Sequence, residues 1–220
     1  MIRTLALIPA RAGSKGIPGK NRRLFHGRPL VSWAIDIGIE TCDKAYVSTD
    51  DPGVALIGLQ AGAGLITRPE SLARDETSMA AVVQHALIEL DHLRPHIVVL
   101  LQPTSPLRTV EHVQKALRLL ETKEADSVVS VVRVPAHHSP DYVGRIKEDR
   151  IVFPSTTRRQ DVRPVYYRDG TVYVVRAEFA REGSLYGHKC IPMILPEHES
   201  AIIDTEEDWQ RAEALMKVTA

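Results

Sequence analysis

Short, continuously apolar runs recur along this chain, separated by stretches in which apolar residues return every three or four positions. The first run, Leu5-Ala6-Leu7-Ile8, is stopped by Pro9. The second, Ala45-Tyr46-Val47-Ser48, runs into the strong turn Thr49-Asp50-Asp51-Pro52-Gly53. Ile97-Val98-Val99-Leu100-Leu101 is the least interrupted of all. Runs without polar alternation mark strands buried on both faces of a sheet. Between them the spacing predicts helices over 30–39, near 53–62 and near 78–92, and Thr109 as the N-cap of another.

A β-branched run over 127–134 predicts a further strand. The pattern then changes. Residues 135–170 carry two adjacent histidines, many charges and short apolar pieces around Val143, Ile146, Ile151 and Phe153, which reads as a hairpin-like arm. Strand character returns at 171–175 and 191–195, and Thr205-Glu206-Glu207-Asp208 opens a last amphipathic helix through Leu215. Strands alternating with helices at this spacing predict an α/β fold. We expect one domain over 1–220: a Rossmann-like, three-layer, mostly parallel sheet with 135–170 as an inserted, protruding arm. Ligands of such sheets bind at the carboxyl ends of the strands. The loops after Ile8, Ser48 and Leu101 are therefore the expected site.

Composition narrows the partners. Lys plus Arg total 28 and Asp plus Glu total 28, a net charge of zero over 220 residues. No global basic surface recommends nucleic acid or an acidic membrane, so neither is expected as a partner. Cys42 and Cys190 have no pairing or metal spacing, and a reducing, cytoplasmic setting is expected. The apolar stretch after Met1-Ile2-Arg3-Thr4 is too short for a signal-peptide core, and no apolar run approaches membrane-spanning length.

Candidate chemistry concentrates in Pro9-Ala10-Arg11-Ala12-Gly13-Ser14-Lys15-Gly16-Ile17-Pro18-Gly19-Lys20-Asn21. Three glycines let the backbone approach a bulky anion, and Arg11, Lys15 and Lys20 add cations. A Gly-rich turn with solvated basic residues is the plain alternative, but the loop follows the first strand, where anion sites form. Five residues separate Gly13 from Gly19 and Asn21 follows the lysine, so this is not a P-loop.

This loop resembles the signature of the CMP-sialic acid synthetase (acylneuraminate cytidylyltransferase) family, roughly ARxxSKGxPxKN. Further matches follow in order: Ser48-Thr49-Asp50; Arg68-Pro69-Glu70 with Asp75 and Thr77; Gln102-Pro103-Thr104-Ser105-Pro106-Leu107-Arg108; Arg159-Gln160; Gly170 with Tyr173; and Asp204-Thr205-Glu206. The resemblance covers nearly the whole chain. Relatives that activate the eight-carbon acid Kdo carry an acidic LQGDEP-like sequence where this chain has QPTSPLR, which is similar to the nine-carbon, sialic-acid-like branch.

The resemblance implies a transferase that joins CTP to such an acid, releasing pyrophosphate. It implies that Ala10, Arg11, Gly13, Ser14, Lys15, Lys20 and Asn21 bind the nucleotide, with Arg68 and Thr77 at the pyrimidine edge. Gln102, Thr104, Ser105, Arg159, Gln160 and Tyr173 would bind the sugar acid. Arg11, Lys15, Lys20 and Asp204 would carry the catalysis, with Mg²⁺ on Asp204. A homodimer is implied as well, the arm crossing to the partner. Locally, Arg68 could cap a helix, Asp204 could cap the last one, and Arg108 could begin a helix or bridge to a carboxylate.

Two departures alter these expectations. Ile202 replaces one aspartate of the family's Asp-x-Asp, so the metal would bind with more waters, bind less tightly or recruit Asp50, which a turn before Asp51-Pro52 explains equally well. Tyr167-Arg168-Asp169-Gly170 stands where relatives read Arg-Pro-Asn-Gly, so the Asp169 charge would need Arg168 or Arg159 to screen it from a substrate carboxylate. His137 and His138, adjacent and so on opposite faces of an extended segment, are read as structural. Two rival readings are a GTP-using legionaminic acid guanylyltransferase and a degenerate, non-catalytic nucleotide-binding homologue.

Overall fold

The computed structural model describes residues 3–154, 158 and 163–219. Arg159 and Gln160 lie outside the described residues.

Strand β1 (Thr4–Pro9) leads through the Gly-rich loop into a small hairpin, β2 (Leu24–Phe25) and β3 (Arg28–Pro29). Helix α1 (Leu30–Thr41), β4 (Lys44–Thr49), α2 (Pro52–Gln60) and β5 (Gly64–Thr67) follow. Then come α3 (Met79–Glu89), β6 (Ile97–Leu100), α4 (Val110–Thr122) and β7 (Ser127–Arg133). A hairpin of β8 (Arg145–Lys147) and β9 (Arg150–Val152) precedes β10 (Tyr166–Arg176), α5 (Ala177–Arg181), β11 (Cys190–Leu195) and α6 (Glu206–Thr219).

Seven strands form one sheet in the order β11-β7-β10-β6-β1-β4-β5. β1 pairs in parallel with β4 and β6, whereas β10 runs antiparallel to both β6 and β7. The expected α/β architecture, Rossmann-like and mostly parallel, is therefore present, with one reversed strand inside it. Alternation along β1 divides the core. Ala6 and Ile8 join the cluster that includes Val31 and Ile35 of α1 and Val113 of α4. Leu5 and Leu7 join the one that includes Val83 and Leu87 of α3. Both faces are covered, which is why the sequence of β1 lacks polar alternation.

A third cluster matters more for the site. Ile17 of the Gly-rich loop packs with Phe25, Leu30, Leu107, Ile203 and Trp209. Each fully buried side chain of this size stabilises by about 1.5–3 kcal/mol. Apolar packing thus joins the first loop to the loop before the last helix.

Helix caps match the local chemistry. The Asp51 Oδ1 accepts the Gly53 N–H at 2.8 Å, Ser78 caps α3, and Thr109 caps α4 as expected. Thr205 and Asp208 bond reciprocally at the start of α6. One expected boundary needs correction. The arm over 135–170 does contain a hairpin, turned at Glu148 and Asp149 with positive φ, but its last five residues belong to β10 of the main sheet. Tyr166-Tyr167-Arg168 stays exposed although it pairs with β7, and the register shift between Arg168 and Tyr173 interrupts the ladder, so this end of β10 shows no continuous apolar run. No helix among the described residues is long and apolar enough to cross a membrane.

Candidate active site

The loops leaving β1, β5 and β6 converge on a cavity of about 430 Å³. Arg11, Ser14, Lys15, Lys20 and Asn21 line it from the first loop, Arg68, Asp75 and Met79 from the segment after β5, and Gln102, Pro103 and Thr104 from the loop after β6. Asp204 closes the remaining side. Four cationic side chains thus face the cavity against two carboxylates. That balance suits an anion.

The first loop is held by its own polar groups. The Ala12 N–H donates to Asp50 Oδ1 at 2.8 Å, and Asn21 Nδ2 donates to the Arg11 carbonyl at 3.0 Å. Gly16 is required by contact: a Cβ there would lie 2.0 Å from the Asp204 carbonyl oxygen. Arg11 donates to the Ala73 carbonyl at 3.2 Å and pairs with Asp75, which also meets Lys15 Nζ at 2.5 Å. The bond to Lys15, then the one to Arg11, holds the Asp75 carboxyl below the usual carboxylate range; in return the Lys15 ammonium is raised.

Lys20 is buried despite its charge. Its Nζ donates to the Ile203 carbonyl at 2.6 Å and lies 3.1 Å from Asp204 Oδ1. Arg68, 5% exposed, donates from Nε to Ser48 Oγ at 3.2 Å and from Nη2 to the Ser48 carbonyl at 2.8 Å. Burial pushes its guanidinium down to about 10, with Asp50 opposing the shift. The sequence left Arg68 as a possible helix cap; it instead braces the end of β4 and reaches the cavity.

The expected site residues divide into three groups. Arg11, Ser14, Lys15, Lys20, Asn21, Arg68, Gln102, Thr104 and Asp204 line one cavity. Ala10, Gly13, Asp50, Thr77, Ser105 and Tyr173 do not line it. Ser105 is buried with its hydroxyl on the Asp169 carbonyl at 3.4 Å, and Thr77 Oγ1 faces the Ser71 carbonyl at 3.5 Å. Arg159 and Gln160 lie outside the described residues. Met79 and Pro103 line the cavity without having been singled out; an apolar side chain at a helix start carries no signal in one sequence.

The concern over Asp169 is resolved differently from expectation. Asp169 is fully buried and bonds the Thr171 N–H and hydroxyl, while Arg168 pairs with the Tyr186 hydroxyl. Arg168 screens nothing at the cavity. Among the described residues, no group of three or more His, Cys, Asp or Glu side chains is arranged to hold a metal ion.

A family model described as cytidylyltransferase matches residues 5–184. CMP-N,N'-diacetyllegionaminic acid synthase of Legionella pneumophila is 34% identical over 99% of this chain and 97% of its own. N-acylneuraminate cytidylyltransferases of Streptococcus agalactiae and Escherichia coli are 30% identical over 94% of this chain, which spans only 52% and 51% of their lengths. CMP:2-keto-3-deoxy-manno-octonic acid synthetase, solved in complex with CTP, superposes with a TM-score of 0.76 at 18% identity, covering 99% of this chain and 100% of that one. For 4-diphosphocytidyl-2C-methyl-D-erythritol synthase of Anaerococcus prevotii the TM-score is 0.69 at 16% identity, over 98% and 99%. These structural likenesses concern the fold; the family model and the sequence relatives go further, and this chain belongs to the cytidylyltransferase family.

Proposed function

We propose that this enzyme joins CTP to a nine-carbon, sialic-acid-like 2-keto sugar acid, giving a CMP-sugar and pyrophosphate. One observation carries the reading: Arg11, Lys15, Lys20 and Arg68 share a single cavity with Gln102 and Thr104. The cationic wall suits a triphosphate, and the amide and hydroxyl suit a polyhydroxylated acid. The names of the sequence relatives, legionaminic and acylneuraminic acids, support the choice of acid.

In this reading the anomeric hydroxyl loses its proton to solvent as its oxygen bonds to the α-phosphorus and the bond to the bridging oxygen of pyrophosphate breaks. Negative charge grows on the departing pyrophosphate. Arg11 and Lys15 face that charge as fixed cations, which lowers the barrier more than equally strong ground-state contacts would. Lys20 holds the loop carrying Asp204 in place.

Mg²⁺ fits the donor set. The ion takes hard oxygens and works with one or two protein carboxylates plus substrate phosphates. Asp204 and Asp75 are the two carboxylates at the cavity, and Asp204 keeps 70% of its side chain exposed. Asp204 would hold the ion. Asp50, outside the lining and with Oδ1 on the Ala12 N–H, does not take the place of the aspartate replaced at Ile202. When bound, the metal neutralises charge on the phosphate oxygens.

The enzyme acts as a homodimer in this reading, in a cytoplasmic setting that suits its two free cysteines. Ile146, Ile151, Val152 and Phe153 of the hairpin are exposed, and a partner surface would cover them. Incubation with CTP, Mg²⁺ and a panel of nine-carbon keto acids is expected to release pyrophosphate, and Arg11→Ala to abolish most of it. Silence across the panel, or an Arg11→Ala enzyme as active as the parent, would overturn the assignment.

A further inference from the structure

Arg108 lies outside the cavity lining, is 5% exposed, and spends its guanidinium on main chain. Nη2 donates to the Gln102 carbonyl at 2.6 Å and to the Gly170 carbonyl at 3.4 Å, while Nε donates to the Thr171 carbonyl. Carbonyls from two distant segments therefore converge on one side chain: the loop after β6 and the bend in β10. Burial pushes the guanidinium down to about 9, with Asp169 acting against the shift.

The bend is built to receive the loop. Asp169 is fully buried, and its carbonyl accepts the Ser105 hydroxyl at 3.4 Å. Gly170 has φ +76°, and a Cβ there would lie 2.9 Å from Gln102 Oε1 and 3.1 Å from Ser105 Oγ. Only glycine allows both the conformation and the approach. The β10 register against β7 shifts between Arg168 and Tyr173, so the strand leaves its ladder where it meets Gln102 and Ser105.

A buried cation is costly unless its bonds fix something. A planar guanidinium holds several acceptors in one rigid arrangement, which an ammonium cannot do. The first loop has separate supports in Asn21, Asp50 and Lys20. The Thr104 end of the β6 loop also has its own tether, the Ile203 N–H at 2.8 Å. At the Gln102 end Arg108 supplies the 2.6 Å bond, beside the longer bonds of the Ser105 hydroxyl to the Asp169 carbonyl and of the Ser105 N–H to the Gln102 carbonyl.

We propose that Arg108 is a positioning residue for the acceptor side of the reaction, locking the Gln102 end of the cavity wall onto the β10 bend. This rests on the reading of that wall as the sugar-acid side. The loss of Arg108 is then one-sided: acceptor recognition suffers while the nucleotide is bound as before.

The test uses the full chain in two variants. Arg108→Lys keeps a charge without the fork. The double variant Arg108→Met with Asp169→Asn removes both charges, the second at unchanged volume and with the acceptor for the Thr171 N–H kept, so charge burial no longer opposes folding. Calorimetry with CTP and Mg²⁺ is expected to give a Kd within about twofold of the parent for both. With N,N'-diacetyllegionaminic acid or N-acetylneuraminic acid as acceptor, the acceptor KM is expected to rise about tenfold or more, the CTP KM staying put. In Arg108→Lys, where Asp169 is intact, hydrogen exchange is expected to quicken at the Ser105 and Thr171 amides, which bond the Gln102 carbonyl and the Asp169 carboxylate, and not in the first loop.

The exchange measurement needs no substrate, so it decides the positioning role even if neither acid is turned over by the parent, an outcome that would count against the proposed acceptor instead. The proposal is overturned if exchange at those amides is unchanged, if both substrates' KM values rise together, or if the charge-free double variant recovers the parent's acceptor KM. Failure of both variants to fold would make Arg108 a stability element only and overturn it too.

Discussion

Lys20 and Asp204, 184 positions apart in sequence, meet with 3.1 Å between the ammonium and a carboxylate oxygen, at the point where the cavity closes. The same ammonium donates to the Ile203 carbonyl at 2.6 Å. A lysine expected to touch phosphate is thus also the pin that sets the height of the aspartate opposite.

Removing that pin has a predictable cost. Asp204 is largely exposed, so the ion pair itself contributes little; the bond to the buried Ile203 carbonyl matters more. Lys20→Met leaves this acceptor unpaired, at a cost of about 1–3 kcal/mol. For a chain of this size that lowers Tm by roughly 3–10 °C. Turnover is expected to fall with it. An unchanged melting curve for Lys20→Met would show that the tether carries no load.

Asp75 shares its carboxylate between Arg11 and Lys15, the two cations expected to meet phosphate. Asp75→Asn frees both. The expected result in calorimetry is CTP binding about two- to fivefold tighter, the range that exposed ion pairs allow. The sign of the pH dependence follows from the shifts. Asp75 is lowered below its ordinary 3.8, so its contribution is present above about pH 4 and is lost as pH falls through the folded value. Lys15 is raised above 10.5, so its contribution is full below that and is lost as pH rises through the higher folded value. The difference between the parent and Asp75→Asn should therefore be flat between pH 5 and about 9. A difference that titrates near pH 7 would refute this account.

Much of this arrangement was legible in the sequence because it is local. Continuous apolar runs mark β1, β4 and β6, and the glycines and cations after β1 mark the loop whose Arg11, Lys15 and Lys20 line the cavity. What escaped depends on distant partners. β5 is four residues at a sheet edge, only one of them buried, and offers no apolar run. β10 looks like any other strand, and its reversed direction is set by β6 and β7 on either side. Arg108, read locally as a helix start or a partner for a carboxylate, turns out to hold carbonyls more than 60 positions away. Asp169 reads in the sequence as a charge facing the substrate because its burial and its bonds to Thr171 depend on the bend in β10, which a linear pattern does not show.

Arg68 offers a test of the nucleotide side. Its guanidinium reaches the cavity while bonding both the hydroxyl and the carbonyl of Ser48. Lysine cannot make both bonds and still present a donor to the cavity. Arg68→Lys is expected to weaken CTP binding about tenfold, the scale of one or two lost charge-assisted bonds. If the base is read here, the preference for CTP over GTP should shrink as well. Thermal shift with each nucleotide reports both quantities. Equal stabilisation of parent and variant by CTP would remove Arg68 from the nucleotide site.

The hairpin predicts an assembly. Ile146 and Ile151 face each other across its two strands and stand 79% and 59% exposed. Changing both to Glu costs the isolated chain little, since both side chains stand largely exposed. A dimer closed by these residues would instead bury four charges at its contact, two from each protomer. Light scattering is expected to give a dimer for the parent and a monomer for the double variant, with an unchanged circular dichroism spectrum. A parent that stays monomeric at micromolar concentration would sink the prediction.

Gly16 gives the sharpest case, because its constraint is purely steric. A Cβ at this position would lie 2.0 Å from the Asp204 carbonyl oxygen, far inside van der Waals contact, and the atom it meets is backbone. No rotamer change can relieve that contact. Either the first loop or the loop carrying Asp204 must move, and the cluster of Ile17, Ile203 and Trp209 resists both. Overpacking of this kind costs about 1–3 kcal/mol. The larger effect falls on function, since displacing Asp204 by about 1 Å from its place opposite Arg11 and Lys15 is enough to cost on the order of a hundredfold in rate. Gly16→Ala should therefore fold with a modestly lower Tm, retain some CTP binding through Arg11, Lys15 and Arg68, and lose most pyrophosphate release. Full activity in Gly16→Ala would mean that the contact between these loops does not set the geometry of the reaction.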